Sequence, residues 1–326
     1  MPETHFSILR RLGLLAAALL LAGSAFGQGY ATKPVRIIVP YPPGGVGDLS
    51  TRAFGARFSA RIGQPVVVEN IPGASQIIGA QALAKSAPDG HTLFIVSPTS
   101  LVLNPALRKT LPYAPDKLAL VSRLFTSPLY VIVTGKLPVN TLAELIAYAK
   151  ARPGELNFAS IGEGSTTQLA TELFSQLAGT QLKHIPYKGT AAINPDLLSG
   201  VVHMHFDPGA GTLALVNEGR LKALAVSGPK RAPALPNVPT VIESGVPGYE
   251  VLSWWGLAGP EGMPKALAEQ VAAAVVQTVA DPALVEQASK LSIEYEAGTP
   301  EQFAAFVRAE KLRWGQVIRT LGLKQE

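Results

Sequence analysis

Residues 35–48 read VRIIVPYPPGGVGD, and this stretch joins a predicted strand to a loop of glycine and proline. The mainly apolar run from Val35 to Pro40 predicts a strand that is buried on both faces. Beyond the loop, apolar residues recur at helical spacing as far as Ile62, and Asp48 is predicted to cap this helix. A strand, a glycine loop and a capped helix in this order indicate parallel α/β construction.

The same order of strand, loop and helix returns in the second half of the chain. The segment LNFAS at 156–160 predicts a strand, and a glycine loop follows it. Ser165 and Gln168 then have the spacing of a capping box. Further strands are predicted at 65–70, 92–97, 129–133, 182–186, 201–206 and 221–226, and long helices at 265–279 and 300–321. We therefore predict an α/β fold with two doubly wound lobes.

The chain is predicted to pass between these lobes twice, near 125–130 and again near 250–257. Residues 28–126 and 255–326 then form lobe 1, and residues 127–254 form lobe 2. The two crossovers would act as hinges, with a ligand cleft between the lobes.

The N-terminal segment 1–27 has the pattern of a secretory signal peptide. Two arginines at 10–11 precede an apolar stretch at 12–22, which is too short to span a bilayer. Small residues permit cleavage after Gly27, so that the mature chain would begin at Gln28. We predict export to the periplasm, and an N-terminal membrane anchor is the alternative.

Composition excludes several classes of protein. The 326 residues are 47% hydrophobic with a net charge of only +5, which argues against disorder. Lysine and arginine are scattered without a block of like charges, so no nucleic-acid partner is expected. The chain has no cysteine, and this excludes disulfides and thiolate metal sites. His203 and His205 share one face of a predicted strand, but no third ligand is placed by spacing, so we expect no metal.

The two glycine loops are the candidate binding features. A glycine-rich turn that leads into a helix presents free backbone N–H groups at the positive end of the helix dipole. Such a turn favours an anion, and two of them facing each other could hold a dianion. Trp254 and Trp255 fall in the returning crossover, where we expect them to pack at the base of the cleft and to report lobe closure.

Catalytic and nucleotide-binding motifs are weak in this sequence. Residues 209–214 match the pattern G-x-G-x-x-A, but no acidic residue follows about twenty positions later, so we interpret them as a turn and a helix start. No G-x-S-x-G elbow is present, which argues against a secreted α/β hydrolase. Asp207 ends a predicted strand, where it could either contact a ligand or form a turn before Pro208.

As a set, the short motifs resemble the Bug family of extracytoplasmic receptors of tripartite tricarboxylate transporters. The segments that carry the resemblance, in order, are KPVR at 33–36, YPPGG at 41–45, EN at 69–70, PGA at 72–74, PDGHTL at 88–93, TLAEL at 141–145, PG at 153–154, GEGS at 162–165, IPYKG at 185–189, DLL at 196–198, FD at 206–207, LAV at 224–226, LPNVPT at 235–240 and PGY at 247–249. They cover the chain from about residue 33 to residue 322.

The resemblance implies a type II periplasmic binding protein of Venus-flytrap architecture that holds a small carboxylate without metal or cofactor. The ligand would be a mono- or dicarboxylate, including an acidic amino acid or an aromatic acid. Candidate ligand-binding residues are Tyr41, Pro42, Gly44, Gly45, Asp48, Ser97, Thr99, Ser160, Gly162, Gly164, Ser165, Thr166, Tyr187 and Asp207. Gln168 and Ser75 depart from the family pattern, where histidine and glycine are frequent.

The sequence leaves three candidate functions for the protein. The first is a monomeric receptor that delivers its carboxylate to the membrane components of a tripartite tricarboxylate-type transporter. The second is a ligand sensor that docks on a signalling partner, and the third is the secreted hydrolase. The first two use the same cleft, so the sequence does not separate them.

Overall fold

A computed structural model describes residues 30–209 and 211–323, and the predicted signal peptide lies outside them. The strands, in chain order, are β1 (Val35–Val39), β2 (Val66–Asn70), β3 (Thr92–Val96), β4 (Ala119–Pro128), β5 (Tyr130–Thr134), β6 (Asn157–Ser160), β7 (Lys183–Pro186), β8 (Met204–Asp207), β9 (Leu221–Val226), β10 (Leu252–Gly259) and β11 (Glu294–Tyr295). In this part of the chain no helix is long and apolar enough to cross a membrane.

Helices cover both sheets. They are α1 (Val46–Ile62), α2 (Ile77–Ala84), α3 (Asn104–Leu107), α4 (Leu142–Lys150), α5 (Thr166–Ala178), α6 (Thr190–Ser199), α7 (Thr212–Asn217), α8 (Lys265–Val279), α9 (Pro282–Ser289) and α10 (Pro300–Thr320). A π-helical turn at Thr99–Leu103 leads into α3. The predicted strands and long helices are therefore present, with ends that differ by up to three residues.

The strands form two separate sheets, one in each lobe. The first has the order β11-β4-β10-β3-β1-β2, and the second has the order β7-β6-β8-β5-β9. In each lobe a parallel trio, β3-β1-β2 or β7-β6-β8, is extended by antiparallel strands. The two-lobed α/β fold is confirmed, and each sheet is mixed because a crossover strand joins it.

Strand β4 was not predicted, although it is ten residues long. Its apolar run is broken by Ser122 and Arg123, so it lacks the pattern of a buried strand. It forms because it pairs with β10 along almost its whole length. The Arg123 guanidinium lies over the Phe306 ring and forms an ion pair with Glu296.

The two crossovers lie side by side. Only Leu129 separates β4 from β5, and Pro128 pairs with Leu252 at the start of β10. Ser227 connects the two segments, because its hydroxyl accepts the Leu129 N–H at 2.7 Å and donates to the Val251 carbonyl at 2.5 Å. This pairing places 127–128 and 252–254 with the first sheet, whereas the predicted boundaries put them in lobe 2.

Helix α1 begins earlier than predicted. Gly45 is the residue before its first turn and has an extended backbone, so Asp48 lies inside that turn instead of capping it. The Asp48 carboxylate still serves the helix start, since it accepts the Gly44 N–H at 3.0 Å. At α5, Ser165 caps the helix as predicted, but the Gln168 side chain accepts the Gly164 N–H at 2.7 Å, one residue earlier than in a capping box.

The last helix, α10, packs on the crossovers through a buried carboxylate. Glu310 is 7% exposed, and its Oε2 accepts the indole N–H of Trp254 at 2.8 Å and that of Trp314 at 3.2 Å. Phe303 packs edge-on against Trp254. The hydrophobic core that contains these rings continues into lobe 2 through Tyr249, so α10 stabilises the junction of the two lobes.

Candidate functional site

A cavity of about 840 Å³ lies between the lobes. It opens at the carboxyl ends of β1, β3, β6 and β8, where open α/β sheets usually bind ligands. Its walls are formed by residues 40–43, 45–47, 72–76, 97–99, 108, 161–163, 165–167, 186–191, 208 and 253–255. Both lobes therefore contribute to one site.

Nine of the fourteen predicted ligand-binding residues line this cavity. They are Tyr41, Pro42, Gly45, Ser97, Thr99, Gly162, Ser165, Thr166 and Tyr187. Their contact with a ligand stays a prediction. The other five, Gly44, Asp48, Ser160, Gly164 and Asp207, are not among the residues that line it.

Asp48 lies behind the first loop instead of in the cavity. It is 2% exposed, and its Oδ1 accepts from Arg52 Nε at 2.9 Å and from Asn70 Nδ2 at 2.8 Å. Its Oδ2 accepts the Gly44 N–H, so this donor is not available to a ligand. These two residues shape the loop that carries Tyr41 and Gly45.

Ser160 and Gly164 also act behind the wall, in the second loop. The Ser160 hydroxyl is fully buried and lies 2.6 Å from His184 Nε2. Gly164 has a left-handed backbone (φ 69°), and a Cβ there would face Leu107 instead of the cleft. Replacing Gly164 by a branched residue would therefore strain the backbone, so such a variant would not separate folding from binding.

Asp207 takes the turn-forming role that the sequence left open. It is fully buried at the end of β8, and its Oδ1 accepts the Gly209 N–H at 2.5 Å. Burial raises the pKa of Asp207 and lowers the pKa of its neighbour His205, whose Nε2 lies 3.5 Å away. Only the following residue, Pro208, reaches the cavity.

Tyr41 is the centre of a hydrogen-bonded group at the base of the cavity. Its hydroxyl accepts from Gln76 Nε2 at 2.9 Å and from the Trp255 indole at 3.1 Å, and Gln76 Oε1 accepts from Ser97 at 2.9 Å. Burial raises the pKa of Tyr41 to about 12, so its hydroxyl keeps its proton at neutral pH. Because both its acceptor positions are occupied, this hydroxyl is left to act as a donor.

Tyr187 differs from Tyr41 in this respect. Its hydroxyl donates to Asp196 Oδ2 at 2.5 Å, and burial raises its pKa to about 12. Tyr187 therefore offers the cavity its ring and not its proton.

Hydrogen bonds between described residues join the two lobes across the cleft. Ser75 Oγ donates to the Glu163 carbonyl at 2.5 Å, and the Thr166 N–H donates to Thr99 Oγ1 at 3.3 Å. The Ser75 contact depends on a left-handed turn, because Ala74, Ser75 and Gln76 have φ of 45°, 49° and 75°. Such angles are costly for residues other than glycine, so tertiary contacts must maintain this turn.

Sequence reasoning missed Gln76 and Arg108 among the lining residues. Gln76 follows the segment PGAS at 72–75 and could have been recognised only as part of a turn. Arg108 lies in a polar segment without periodicity, and no local signal distinguishes it from the neighbouring Lys109.

Two helix N-termini end at the cavity. Val46 begins α1 in lobe 1 and Thr166 begins α5 in lobe 2, and both residues line it. The first N–H groups of a helix have no acceptor within the helix, and the helix dipole makes this end positive. The cavity is therefore suited to an anion held from both sides. In residues 30–209 and 211–323, no cluster of three histidines or carboxylates is placed to bind a metal.

Among the described residues, the Ser160–His184 pair is an arrangement that suggests hydrolysis. Burial lowers the pKa of His184, so the imidazole is neutral, as a general base requires. The serine hydroxyl is nevertheless enclosed, and it also donates to the Gly162 carbonyl at 3.0 Å. A substrate in the cavity cannot reach it, which argues against the hydrolase alternative.

Two α/β lobes joined by paired crossovers, with a cleft lined from both sides, define the class of periplasmic binding proteins. Within this class, the sequence model of the tripartite tricarboxylate transporter family receptor matches residues 51–323. The chain belongs to this family.

Solved structures agree with this assignment. The chain is similar to the R. palustris protein Rpa4515 with adipate (34% identity, TM-score 0.87), with 90% of this chain and 99% of that chain covered. It is similar to the periplasmic binding protein BugD (31%, TM-score 0.85; 91% and 100% covered). It is also similar to MatC of Rhodopseudomonas palustris with bound malate (29%, TM-score 0.80; 88% and 99% covered).

Ligand binding is expected to change the fluorescence of Trp255 more than that of Trp254. Trp255 donates to Tyr41 at the cavity, whereas Trp254 is 1% exposed and donates to Glu310 in the core. The sequence suggested that both would respond. Titrating Trp254→Phe and Trp255→Phe with a binding carboxylate distinguishes the two. A full-sized signal in Trp255→Phe would contradict this expectation.

Proposed function

We propose that the protein is a periplasmic solute receptor that binds a small carboxylate and delivers it to the membrane components of a tripartite tricarboxylate-type transporter. The observation that carries the proposal is the pair of helix N-termini, at Val46 and Thr166, that end at one cavity from opposite lobes. Family membership supports the transporter partner. The adipate and malate in the two relatives support the ligand class.

The ligand would be held mainly by neutral donors. The N–H groups of the two helix starts, apart from that of Thr166, which donates to Thr99, lie at the cavity together with the hydroxyls of Tyr41, Thr99 and Ser165. Hydrogen bonds from fixed donors to a carboxylate are strong because the acceptor is charged. The protein acts as a monomeric receptor and not as an enzyme, and lobe closure around the ligand is the signal that a membrane partner reads.

A thermal-shift panel on the exported chain tests this function. We expect mono- and dicarboxylates, acidic amino acids or aromatic acids to raise the melting temperature, while neutral sugars and nucleotides do not. A ligand at 100 times its dissociation constant stabilises the folded state by about 2.7 kcal/mol. Stabilisation by sugars alone, or its loss on adding a chelator, would contradict the proposal.

Export is tested separately. We expect the intact mass of the exported protein to correspond to a chain that begins at Gln28.

A further inference from the structure

Arg108 is a cation at the cavity wall without an acidic partner. It lines the cavity directly after α3 and is half-buried. Arg52 and Arg123 each pair with a carboxylate. Arg108 forms no ion pair and no side-chain hydrogen bond with any residue that the structure describes. A half-buried guanidinium of this kind offers donors in a planar fork that matches a carboxylate.

The backbone that carries Arg108 is held at the seam between the lobes. Asn104, at the start of α3, donates to the Ser75 carbonyl at 2.9 Å, and Ser75 contacts the Glu163 carbonyl of lobe 2. Leu107 Cδ1 lies 3.4 Å from the position of a Cβ on Gly164. The Arg108 side chain therefore enters the cavity from an anchored position that both lobes contact.

The charge of the cavity wall is positive. Its charged residues, in the described part of the chain, are Arg108 from lobe 1 and Lys188 and Glu163 from lobe 2. Lys188 also forms no ion pair with the described residues. The two cations exceed the single carboxylate, and the two helix N-termini add further positive potential. A ligand with a single carboxylate, bound at the helix starts, would leave Arg108 and Lys188 without a counterion.

Much of the remaining cavity wall is apolar. The lining includes seven prolines, at 40, 42, 43, 72, 98, 186 and 208, together with the Trp255 ring. Proline has no N–H to donate, so these segments offer a polar ligand body only carbonyl acceptors in place of water. A ligand that fits has charged ends and a hydrocarbon body.

We propose that Arg108 is the specificity-determining residue of this cleft and pairs with a second carboxylate of the ligand. This inference rests on the proposed function, since the first carboxylate is the one held at the helix N-termini. The cleft thus selects dicarboxylates with a hydrocarbon spacer over monocarboxylates of the same length, and Lys188 assists from the opposite lobe.

The test compares matched acids by calorimetry. Dicarboxylates from succinate to suberate are each paired with the monocarboxylate of equal chain length, for example adipate with hexanoate. For the best-fitting pair, we expect the dicarboxylate to bind about tenfold more tightly or better, because a charge-assisted pair is lost in the monocarboxylate. Arg108→Gln should reduce this ratio to about twofold while leaving the monocarboxylate affinity nearly unchanged.

Two further variants separate pairing from a general charge effect. Lys109→Gln removes an adjacent exposed charge that does not line the cavity, and it should keep the ratio. Arg108→Lys should restore part of it, because the charge returns without the planar fork. An unchanged ratio in Arg108→Gln, or equal binding of both acids by the native chain, would overturn this inference while the proposed function stands. If no carboxylate binds, both are overturned.

Discussion

Gly47→Val is expected to abolish carboxylate binding. Gly47 lies in the first turn of α1 and has no left-handed backbone, so substitution there meets no conformational strain. A Cβ at this position would stand 2.9 Å from two carbons of the Tyr41 ring and 3.1 Å from the Trp255 indole nitrogen. A branched side chain must displace Tyr41 into the cavity and break its bonds to Gln76 and Trp255. The ligand would lose both its space and its neighbouring donors.

The readout is the ligand-induced thermal shift, measured with the carboxylate that stabilises the native chain most. The native shift corresponds to about 2.7 kcal/mol at 100 times the dissociation constant, and Gly47→Val should show none. Without ligand, we expect the variant to fold with a loss of about 1–3 kcal/mol, which is typical of overpacking. Gly315→Val is the matched control, because a Cβ there meets only the flexible Arg319 side chain at 3.6 Å. An undiminished shift in Gly47→Val would refute this placement of the site.

Glu310→Ala should cause a large loss of stability. The substitution leaves the indole N–H groups of Trp254 and Trp314 buried without an acceptor and also opens a small void. Each unsatisfied buried donor costs about 1–3 kcal/mol, so we expect a decrease of roughly 3–5 kcal/mol in the free energy of unfolding. Urea denaturation followed by far-UV circular dichroism measures it.

Glu310→Gln is the informative control for this prediction. Its amide oxygen still accepts hydrogen bonds, so we expect it to retain most of the stability that Glu310→Ala loses. Glu301→Ala, at an exposed position in the first turn of the same helix, should cost less than about 1 kcal/mol. Equal losses in Glu310→Ala and Glu310→Gln would show that the acceptor role is not what stabilises this helix.

The short-range patterns were sufficient for most of the fold. The apolar run of β1, the glycine loop after it and the helical spacing beyond were all visible within thirty residues. Strand β4 was not, because a strand with interrupted apolar residues forms only when a partner such as β10 supplies its hydrogen bonds. Asp48 was predicted to cap its helix and lies instead inside the first turn, and for Asp207 the sequence left ligand contact and turn formation open, since carboxylates behind a loop and in front of it have the same local sequence.

The sequence by itself determined two α/β lobes, two glycine loops that lead into helices, and nine of the residues that line the cavity. Those features depend on residues near one another in the chain, whose spacing dictates strand, turn and helix. Only the tertiary structure decided which loop residues face the cavity, that Ser75 contacts Glu163 from 88 positions away, and that Arg108 lines the cavity without an acidic partner among the described residues. These properties depend on contacts between segments that are far apart in the chain, and local sequence patterns do not specify which distant segments will be in contact.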